Sequence, residues 1–145
     1  MKPYRAFTLI ELMIVVVIVS ILALLSYPNY QGFIMKSRRV DAEAALLGLE
    51  NAMERQYTES NSYLGAGTVG GNTGAPTVFS ATSPLHGSVV YYQLRIDSAT
   101  ATSYQLNATP TGAQSRDKCG TLTLTNIGIK AVIDADAGVV VADCW

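Results

Sequence analysis

A single carboxylate, that of Glu11, interrupts a stretch that is otherwise uncharged from just after Arg5 to just before Lys36. Acidic side chains within membrane-length apolar segments are rare, and burying one at the centre of a helix costs roughly 2.5–3.5 kcal/mol. The default interpretation of such a carboxylate is functional, and it needs a positive partner. One candidate partner is an α-amine, which a cut in the chain just before Phe7 would create.

The two cysteines, Cys119 and Cys144, lie in the last quarter of the chain. Neither belongs to a C-x-x-C pair or has a neighbouring histidine, so a structural disulfide is favoured over two free thiols. A disulfide indicates an oxidising compartment such as a periplasm or a cell surface. In the chain-entropy model, closing a loop of this size stabilises a small domain by about 3–4 kcal/mol.

No catalytic constellation accompanies these residues. His86 is the single histidine and is interpreted as a loop residue, and no nucleophile elbow, phosphate loop or dinucleotide fingerprint is present. The run 134–138 begins like a calcium loop but lacks the third ligand and the closing glutamate, which favours a plain β-turn. We therefore expect no enzyme activity, no metal and no cofactor.

The composition is that of one domain of ordinary size that carries no large net positive charge. The chain has 145 residues and a formal charge of −1, which argues against a general affinity for nucleic acid. Three cations in the C-terminal part, Arg116, Lys118 and Lys130, are interpreted as solvated loop charges rather than as a basic patch.

The N-terminal third divides into a leader and an apolar helix. Residues 1–6 are interpreted as a processed basic leader, and an ordinary secretory signal is disfavoured because Glu11 would interrupt its apolar region. Residues 7–28 are predicted to form a transmembrane and filament-core helix, since the 21 residues from Phe7 to Tyr27 rise about 31 Å at 1.5 Å each. Pro28 is expected to kink or locally break this helix, because it lacks an N–H and clashes with the preceding turn.

The rest of the chain predicts an α+β domain. Residues 29–58 are expected to form an amphipathic second half of the helix, with one apolar stripe consisting of Ala42, Leu46, Leu49, Met53 and Tyr57. Residues 59–87 are predicted to be a loop. Residues 88–145 are predicted to form an antiparallel sheet of four or five strands, from runs at 89–96, 104–108, 122–124, 129–133 and 139–142.

The N-terminal run Phe-Thr-Leu-Ile-Glu-Leu after a basic leader resembles the signal of type IV prepilins and pseudopilins. That resemblance implies cleavage between Ala6 and Phe7 by a prepilin peptidase, N-methylation of Phe7, and an assembly role for Glu11. The family usually has Gly before the cut, whereas this chain has Ala6. A proline at the position of Pro28 is also common in the family.

The C-terminal part resembles PilE-type minor pilins more weakly, through the segment 117–124 and the ending 143–145. In that family a disulfide, here between Cys119 and Cys144, fixes the last segment to the sheet. The fold implied is pilin-like: a long N-terminal helix packed on an antiparallel sheet. Pseudopilins often use calcium in place of this disulfide, so the cysteines favour a pilus.

The resemblance implies a structural subunit of a type IV pilus: a minor pilin of the PilE type that supports pilus assembly, twitching motility and adhesion, or a closely similar major subunit. Its implied partners are other pilin subunits, the inner membrane, the prepilin peptidase and the inner-membrane assembly platform. The subunit would first be held in the inner membrane with its C-terminal domain in the periplasm, and then be part of the extracellular pilus. Two alternatives remain open: a competence pilin that binds DNA, and a pseudopilin of a type II secretion system.

Overall fold

The computed structural model describes residues 7–145, except for the side chains of residues 25–29. The predicted leader, including Ala6, lies outside the described residues. The chain forms two compact units, Met1–Ile34 and Met35–Trp145.

One long helix, α1 (Leu9–Ser60), contributes to both units. In the first unit it contains a run of β-branched residues, which are poor helix formers in water. Among the residues that the structure describes, no helix combines the length and the apolar character needed to cross a membrane. The transmembrane part of the prediction for residues 7–28 is therefore not confirmed.

The helical assignment of α1 is continuous through residue 28. The side chain of Pro28 lies outside the described part of the chain, so the kink expected at this proline stays a prediction.

In the second unit, α1 packs one face on the domain core, as the apolar stripe predicts. Ala42, Leu46, Leu49 and Met53 are fully buried, and Tyr57 packs against them. The helix ends at Ser60, two residues beyond the predicted boundary. Burying this stripe, at ~25 cal/mol per Å² of apolar surface, is what holds the helix on the sheet.

The second unit also contains a seven-stranded antiparallel sheet and two 3₁₀ helices. The strands are β1 (Gly67–Val69), β2 (Thr73–Pro76), β3 (Thr82–Ser83), β4 (Tyr92–Ala99), β5 (Tyr104–Pro110), β6 (Thr121–Thr125) and β7 (Lys130–Ile133). Their order is β1-β2-β4-β5-β6-β7, with β3 paired to β4. The 3₁₀ helices are η1 (Gly112–Arg116) and η2 (Val141–Asp143).

Along the central strands, buried and exposed residues alternate, and the buried ones form the sheet's half of the core. In β4, Tyr92, Leu94 and Ile96 are buried while the residues between them are exposed. The register pairs Leu94 with Ala108 and Ile96 with Leu106, so the same face of β5 is buried as well. This period-two pattern is what the sequence predicts for a sheet with one covered face.

The α+β class is confirmed, but the predicted number of strands is wrong. The segment 59–87, predicted to be a loop, contains β1, β2 and β3, which are only two to four residues long. The run 139–142, predicted to be a strand, instead leads into η2. Strands this short contain too few residues for an alternating pattern to be visible.

Candidate assembly site

Thr8 caps the N-terminus of α1. The backbone N–H of Glu11 donates a hydrogen bond to the Thr8 hydroxyl at 3.3 Å, and the N–H of Leu12 donates to the Thr8 carbonyl at 3.2 Å. Threonine followed three residues later by glutamate is the pattern of a capping box, and a carboxylate in the first turn is favoured by the helix dipole. Thr8 therefore caps the helix start through the backbone N–H of Glu11, and the Glu11 carboxylate lies in the first turn. Our sequence analysis missed this cap, although the Thr-x-x-Glu pattern was present.

The carboxylate of Glu11 remains available to another molecule. The residue is exposed, and it forms no ion pair with any part of the chain that the structure describes. Phe7 is 79 % exposed. Together with Leu12 and Val15, these two residues line a shallow groove of about 330 Å³. The structure thus brings the two residues predicted to mediate assembly to one side of the helix start.

An apolar surface follows this site along the helix. Thirteen large apolar side chains between Leu9 and Leu24 are each more than half exposed: Leu9, Ile10, Leu12, Met13, Ile14, Val15, Val16, Val17, Ile18, Val19, Ile21, Leu22 and Leu24. Contiguous exposed apolar surface on this scale marks a site of interaction with protein or lipid. The first unit therefore needs a partner to cover it.

A buried ion pair fastens α1 to the loop before β6. The Arg39 guanidinium donates two hydrogen bonds to Asp117, from Nε to Oδ2 at 2.8 Å and from Nη2 to Oδ1 at 2.9 Å. Its Nη1 donates to the backbone carbonyl of Asp143 at 3.0 Å. Both charged side chains are nearly fully buried. One arginine of the helix thus holds both the η1–β6 loop and the C-terminal segment.

Two polar side chains complete this network. Tyr92 donates its hydroxyl to Asp117 Oδ2 at 2.8 Å, and the Gln114 amide donates to the Tyr92 hydroxyl at 3.1 Å and to the carbonyl of Met35 at 3.0 Å. Burial raises the pKa of the Tyr92 phenol, and its hydrogen bond to the carboxylate raises it further. The network therefore joins the helix, β4 and η1 through groups that stay paired at neutral pH.

The predicted disulfide is confirmed. Cys119 and Cys144 are bonded, with their Cα atoms 5.7 Å apart, and both are buried. Next to Cys144, the Trp145 indole N–H donates to the carbonyl of Ala131 at 3.0 Å, and the Lys130 ammonium lies 4.8 Å from the centroid of the indole ring. These contacts hold the end of the chain against β7.

A second polar cluster fixes the C-terminal part of α1. The carboxylate of Glu54 accepts hydrogen bonds from the hydroxyls of Tyr63, at 2.9 Å, and Tyr104, at 3.1 Å. The rings of Tyr63 and Tyr104 meet edge-on, with centroids 4.7 Å apart. Burial, followed by the hydrogen bond to Glu54, raises the pKa of Tyr63 to about 12. Sequence analysis gave no indication of this cluster.

The other residues that the sequence singles out do not converge on a site. His86 lies exposed in the loop between β3 and β4. Residues 134–138 include a turn, closed by a hydrogen bond from the N–H of Val139 to the carbonyl of Asp136 at 3.1 Å. Arg116, Lys118 and Lys130 are all exposed, and the Lys130 ammonium also lies over the Trp145 ring. Among the described residues, no three acidic, histidine or cysteine side chains are grouped as metal ligands would be.

Comparison with known families identifies the chain. A model of the prokaryotic N-terminal methylation motif matches residues 1–27. A second model, described as "Type IV minor pilin ComP, DNA uptake sequence receptor", matches residues 28–123, which is more than half of the chain. The chain belongs to this family of type IV minor pilins. The pilin fold and membership in a family of structural subunits also confirm the prediction that the protein is not an enzyme.

Relatives of this pilin include both pilus and secretion proteins. The type IV major pilin protein PilA of Myxococcus xanthus (strain DK1622) is 42% identical over 59 residues, which are 41% of this chain and 27% of that protein. The type II secretion system core protein G of Escherichia coli (strain K12) is 37% identical over 59 residues, 41% of each chain. The chain thus spans less than half the length of these relatives.

A solved structure supports the fold. The non-core minor pilin PilV of Neisseria meningitidis matches this pilin with a TM-score of 0.51 at 14% identity, and the match covers 76% of this chain and 95% of that one. At that identity the likeness establishes the fold alone. The pilin-like architecture expected from the sequence is therefore confirmed.

Proposed function

We propose that this minor pilin is built into a type IV pilus through the N-terminal half of α1, after cleavage between Ala6 and Phe7 and N-methylation of Phe7. The observation that carries the proposal is the start of α1, where an exposed carboxylate precedes an exposed apolar surface. Within the described residues of one chain, no cation pairs with this carboxylate and nothing covers this apolar surface. In this role the subunit supports pilus assembly, twitching motility and adhesion.

Cleavage supplies the positively charged partner that Glu11 lacks. Removing residues 1–6 leaves an α-amine at Phe7, and in a helical array the Glu11 carboxylate of one subunit neutralises this amine on a neighbour. Buried ion pairs add little net stability, but they can fix register, because a subunit that docks out of register leaves both charges unpaired. The pair therefore selects one docking position along the helix.

The apolar surface of α1 must stay out of water both before and after assembly. Exposing it to water would cost ~25 cal/mol per Å² of apolar area, so the segment leaves the membrane only where neighbouring helices cover it. On the second unit, Val40, Ala44 and Leu47 are exposed on one face of α1 and provide a separate apolar surface that neighbours can cover. Before assembly we place the apolar segment in the inner membrane, with the second unit in the periplasm.

This pathway needs three kinds of partner. A prepilin peptidase removes the leader, the inner-membrane assembly platform inserts the subunit, and other pilins surround it in the filament. The disulfide between Cys119 and Cys144 supports the periplasmic and extracellular location of the second unit, since such bonds persist in oxidising compartments.

DNA uptake is a second candidate function. The family description names a DNA uptake sequence receptor, and the matched residues 28–123 cover most of the second unit. Against it, residues 35–145 contain eight basic and ten acidic side chains. Without a basic field, a DNA contact here would depend on a few local cations. Binding of the detergent-solubilised full chain to duplex DNA, measured at 50 and 200 mM salt, tests this role, because phosphate contacts weaken steeply with salt.

A pseudopilin role is the third possibility, since core proteins G of type II secretion systems are among the relatives. The disulfide favours a pilus, because pseudopilins often use calcium in place of such a C-terminal disulfide.

The experiment that tests the main proposal compares filaments from a deletion strain with those from the same strain carrying the wild-type gene. Sheared surface filaments are imaged and then probed for this chain. We expect the chain in the filament fraction and fewer or no filaments without it. A chain that stays in the cell envelope while filament number is unchanged would contradict the proposal.

A further inference from the structure

The loop between β3 and β4, residues 84–91, exposes apolar side chains where polar turn residues are usual. Leu85 is 46 % exposed, Val89 is 55 % exposed and Val90 is 37 % exposed. The chain contains no acidic residue from position 60 to position 96. The tip of this apolar loop is therefore free of the carboxylates that make transfer of a segment into lipid costly.

The direction of β4 places the apolar loop at the end of the second unit where α1 enters it. β4 begins at Tyr92, whose hydroxyl accepts a hydrogen bond from the Gln114 amide, and the same amide donates to the carbonyl of Met35, the first residue of the unit. The last residue of β4 pairs with Tyr104, whose hydroxyl donates to Glu54, much farther along α1. β4 thus runs beside α1 in the same direction. The loop that precedes β4 therefore lies at the end marked by Met35.

A cation and an aromatic ring hold the base of the apolar loop. The N–H of Tyr91 donates to the carbonyl of Ser83 at 2.9 Å and closes the loop. The guanidinium carbon of Arg38 lies 3.8 Å from the centroid of the Tyr91 ring. Arg38 forms no ion pair with the described residues, and Lys36, two positions earlier on α1, is exposed. An apolar tip beside a tyrosine ring and two cations is the composition of surfaces that bind at a lipid interface.

The exposed acidic side chains at this end of the unit belong to other segments. Asp134, Asp136 and Asp143 follow β7, and β5 and β6 separate β7 from β4 in the sheet. Asp41 lies on α1 about one turn beyond Arg38, farther from the start of the unit. The apolar loop can thus enter a lipid surface without taking a carboxylate into it.

We propose that, before assembly, the apolar loop rests on the inner membrane, with Leu85, Val89 and Val90 inserted among the lipid headgroups. The proposal rests on the membrane location proposed above and adds a second contact with the same bilayer. The choice of lipid follows from connectivity, because the segment placed in the membrane joins the second unit at the end that carries the loop. In interfacial binding, apolar side chains are buried about 5–10 Å into the boundary between headgroups and acyl chains.

Fluorescence of the full-length chain in lipid vesicles tests this contact. A Val89→Cys chain is labelled with a polarity-sensitive fluorophore, checked for its native disulfide, and reconstituted in vesicles of phosphatidylethanolamine and phosphatidylglycerol. We expect blue-shifted emission and quenching by lipids that carry a spin label near the top of the acyl chain. Ala113→Cys, exposed in η1 at the same end of the unit, and Ala101→Cys, exposed after β4 at the opposite end, should show neither effect.

The outcomes separate the loop contact from the membrane location. No effect at Val89→Cys, or equal effects at Val89→Cys and Ala113→Cys, in vesicles that retain the chain after alkaline extraction would overturn the loop contact alone. A chain that alkaline extraction removes from the vesicles would contradict the membrane location itself. A blue shift at Val89→Cys in sheared filaments but not in vesicles would assign the loop to a neighbouring pilin and overturn the choice of lipid.

A charge placed in the apolar loop provides an independent measurement. In the labelled Val89→Cys chain, Leu85→Asp should abolish the blue shift and the acyl-chain quenching, because an acidic side chain is costly to place in lipid. Ala113→Asp in the same background should leave both signals unchanged. Leu85 and Ala113 are both exposed, so both variants should form the native disulfide. Unchanged signals in the Leu85→Asp chain would overturn the contact.

Discussion

Arg39 in α1 and Asp117 before β6 are 78 positions apart in the chain, and they form a two-pronged ion pair that is nearly fully buried. The same guanidinium also binds the carbonyl of Asp143, next to the disulfide. The ion pair therefore fastens the loop before β6 to the helix, and the disulfide fastens the end of the chain to that same loop. The stability of the subunit depends on both.

Breaking the ion pair from either side should destabilise the subunit strongly. Arg39→Ala or Asp117→Ala leaves one buried charge without its partner, so we expect a loss of about 3–5 kcal/mol in the free energy of unfolding. Denaturant unfolding followed by the fluorescence of Trp145, the one tryptophan, measures it. Arg55→Ala, at an exposed position of the same helix, is the control and should change stability by less than about 0.5 kcal/mol. Single variants as stable as this control would show that the pair is not a fastening point.

Removing the disulfide should lower pilin abundance. Replacing both Cys119 and Cys144 by Ser should cost roughly 2–5 kcal/mol, because the unfolded chain is no longer constrained. A loss of that size is a large part of the stability of a small domain, so more chain is unfolded and degraded. Immunoblots of cell envelopes and unfolding curves check this. Non-reducing peptide mapping of the wild type is the companion measurement, and free thiols at both positions would refute the bond.

The tyrosine cluster should make stability fall at alkaline pH. The pKa of Tyr63 is raised to about 12 in the folded chain, against about 10 in the unfolded chain. Its contribution to stability is therefore fully present below about pH 10 and is lost as the pH rises through about 12. Titration of tyrosinate absorbance should show this late ionisation, and Glu54→Ala should lower the pKa. Glu59→Ala, also exposed on α1, is the control, and a titration identical in the two variants would remove Glu54 as a cause.

Calcium should not change the stability of this pilin. Residues 134–138 include a hydrogen-bonded turn, and the sequence there lacks the later ligands of a calcium loop. Unfolding curves measured with millimolar calcium and with EDTA should coincide. A midpoint that rises with calcium would favour the pseudopilin role over the pilus.

The charge of Glu11, rather than its part in capping the helix, should be needed for assembly. Glu11→Ala should enter the membrane as well as or better than the wild type but fail to enter filaments. Glu11→Gln is the sharper variant, because glutamine also serves in a capping box while carrying no charge. We expect Glu11→Gln to be excluded like Glu11→Ala, as quantified by immunoblots of sheared filaments and membranes. Normal incorporation of Glu11→Gln would mean that the residue acts only at the helix start.

The parts of this structure that could be predicted are those fixed by local pattern. The apolar stripe at Leu46, Leu49 and Met53 predicts the packed face of α1, and alternation around Leu94 and Ile96 predicts the central strand β4. Glu11 is conspicuous because no other charge lies nearby. Each of these signals lies within a few turns of helix or one strand, so it can be read without knowing the fold.

The parts that could not be predicted depend on distant contacts or on very short elements. Nothing in the sequence around Arg39 indicates that its partner is Asp117, because only the packed fold brings the two together. The strands β1, β2 and β3 are too short to show alternation, and β1 and β2 each contain a glycine. The tyrosine cluster at Glu54 was missed for the first of these reasons, since Tyr104 is 50 positions away.

The mass of the mature subunit tests the central claim most directly. Assembly through Glu11 requires a free α-amine at Phe7, which exists only if the chain is cut after Ala6. Intact mass spectrometry of the protein in sheared surface filaments should give a chain that begins at N-methyl-Phe7 and contains one disulfide. A mature chain that begins beyond Tyr27 would contradict the account, because it would lack both Glu11 and the apolar surface that is proposed to form the filament core.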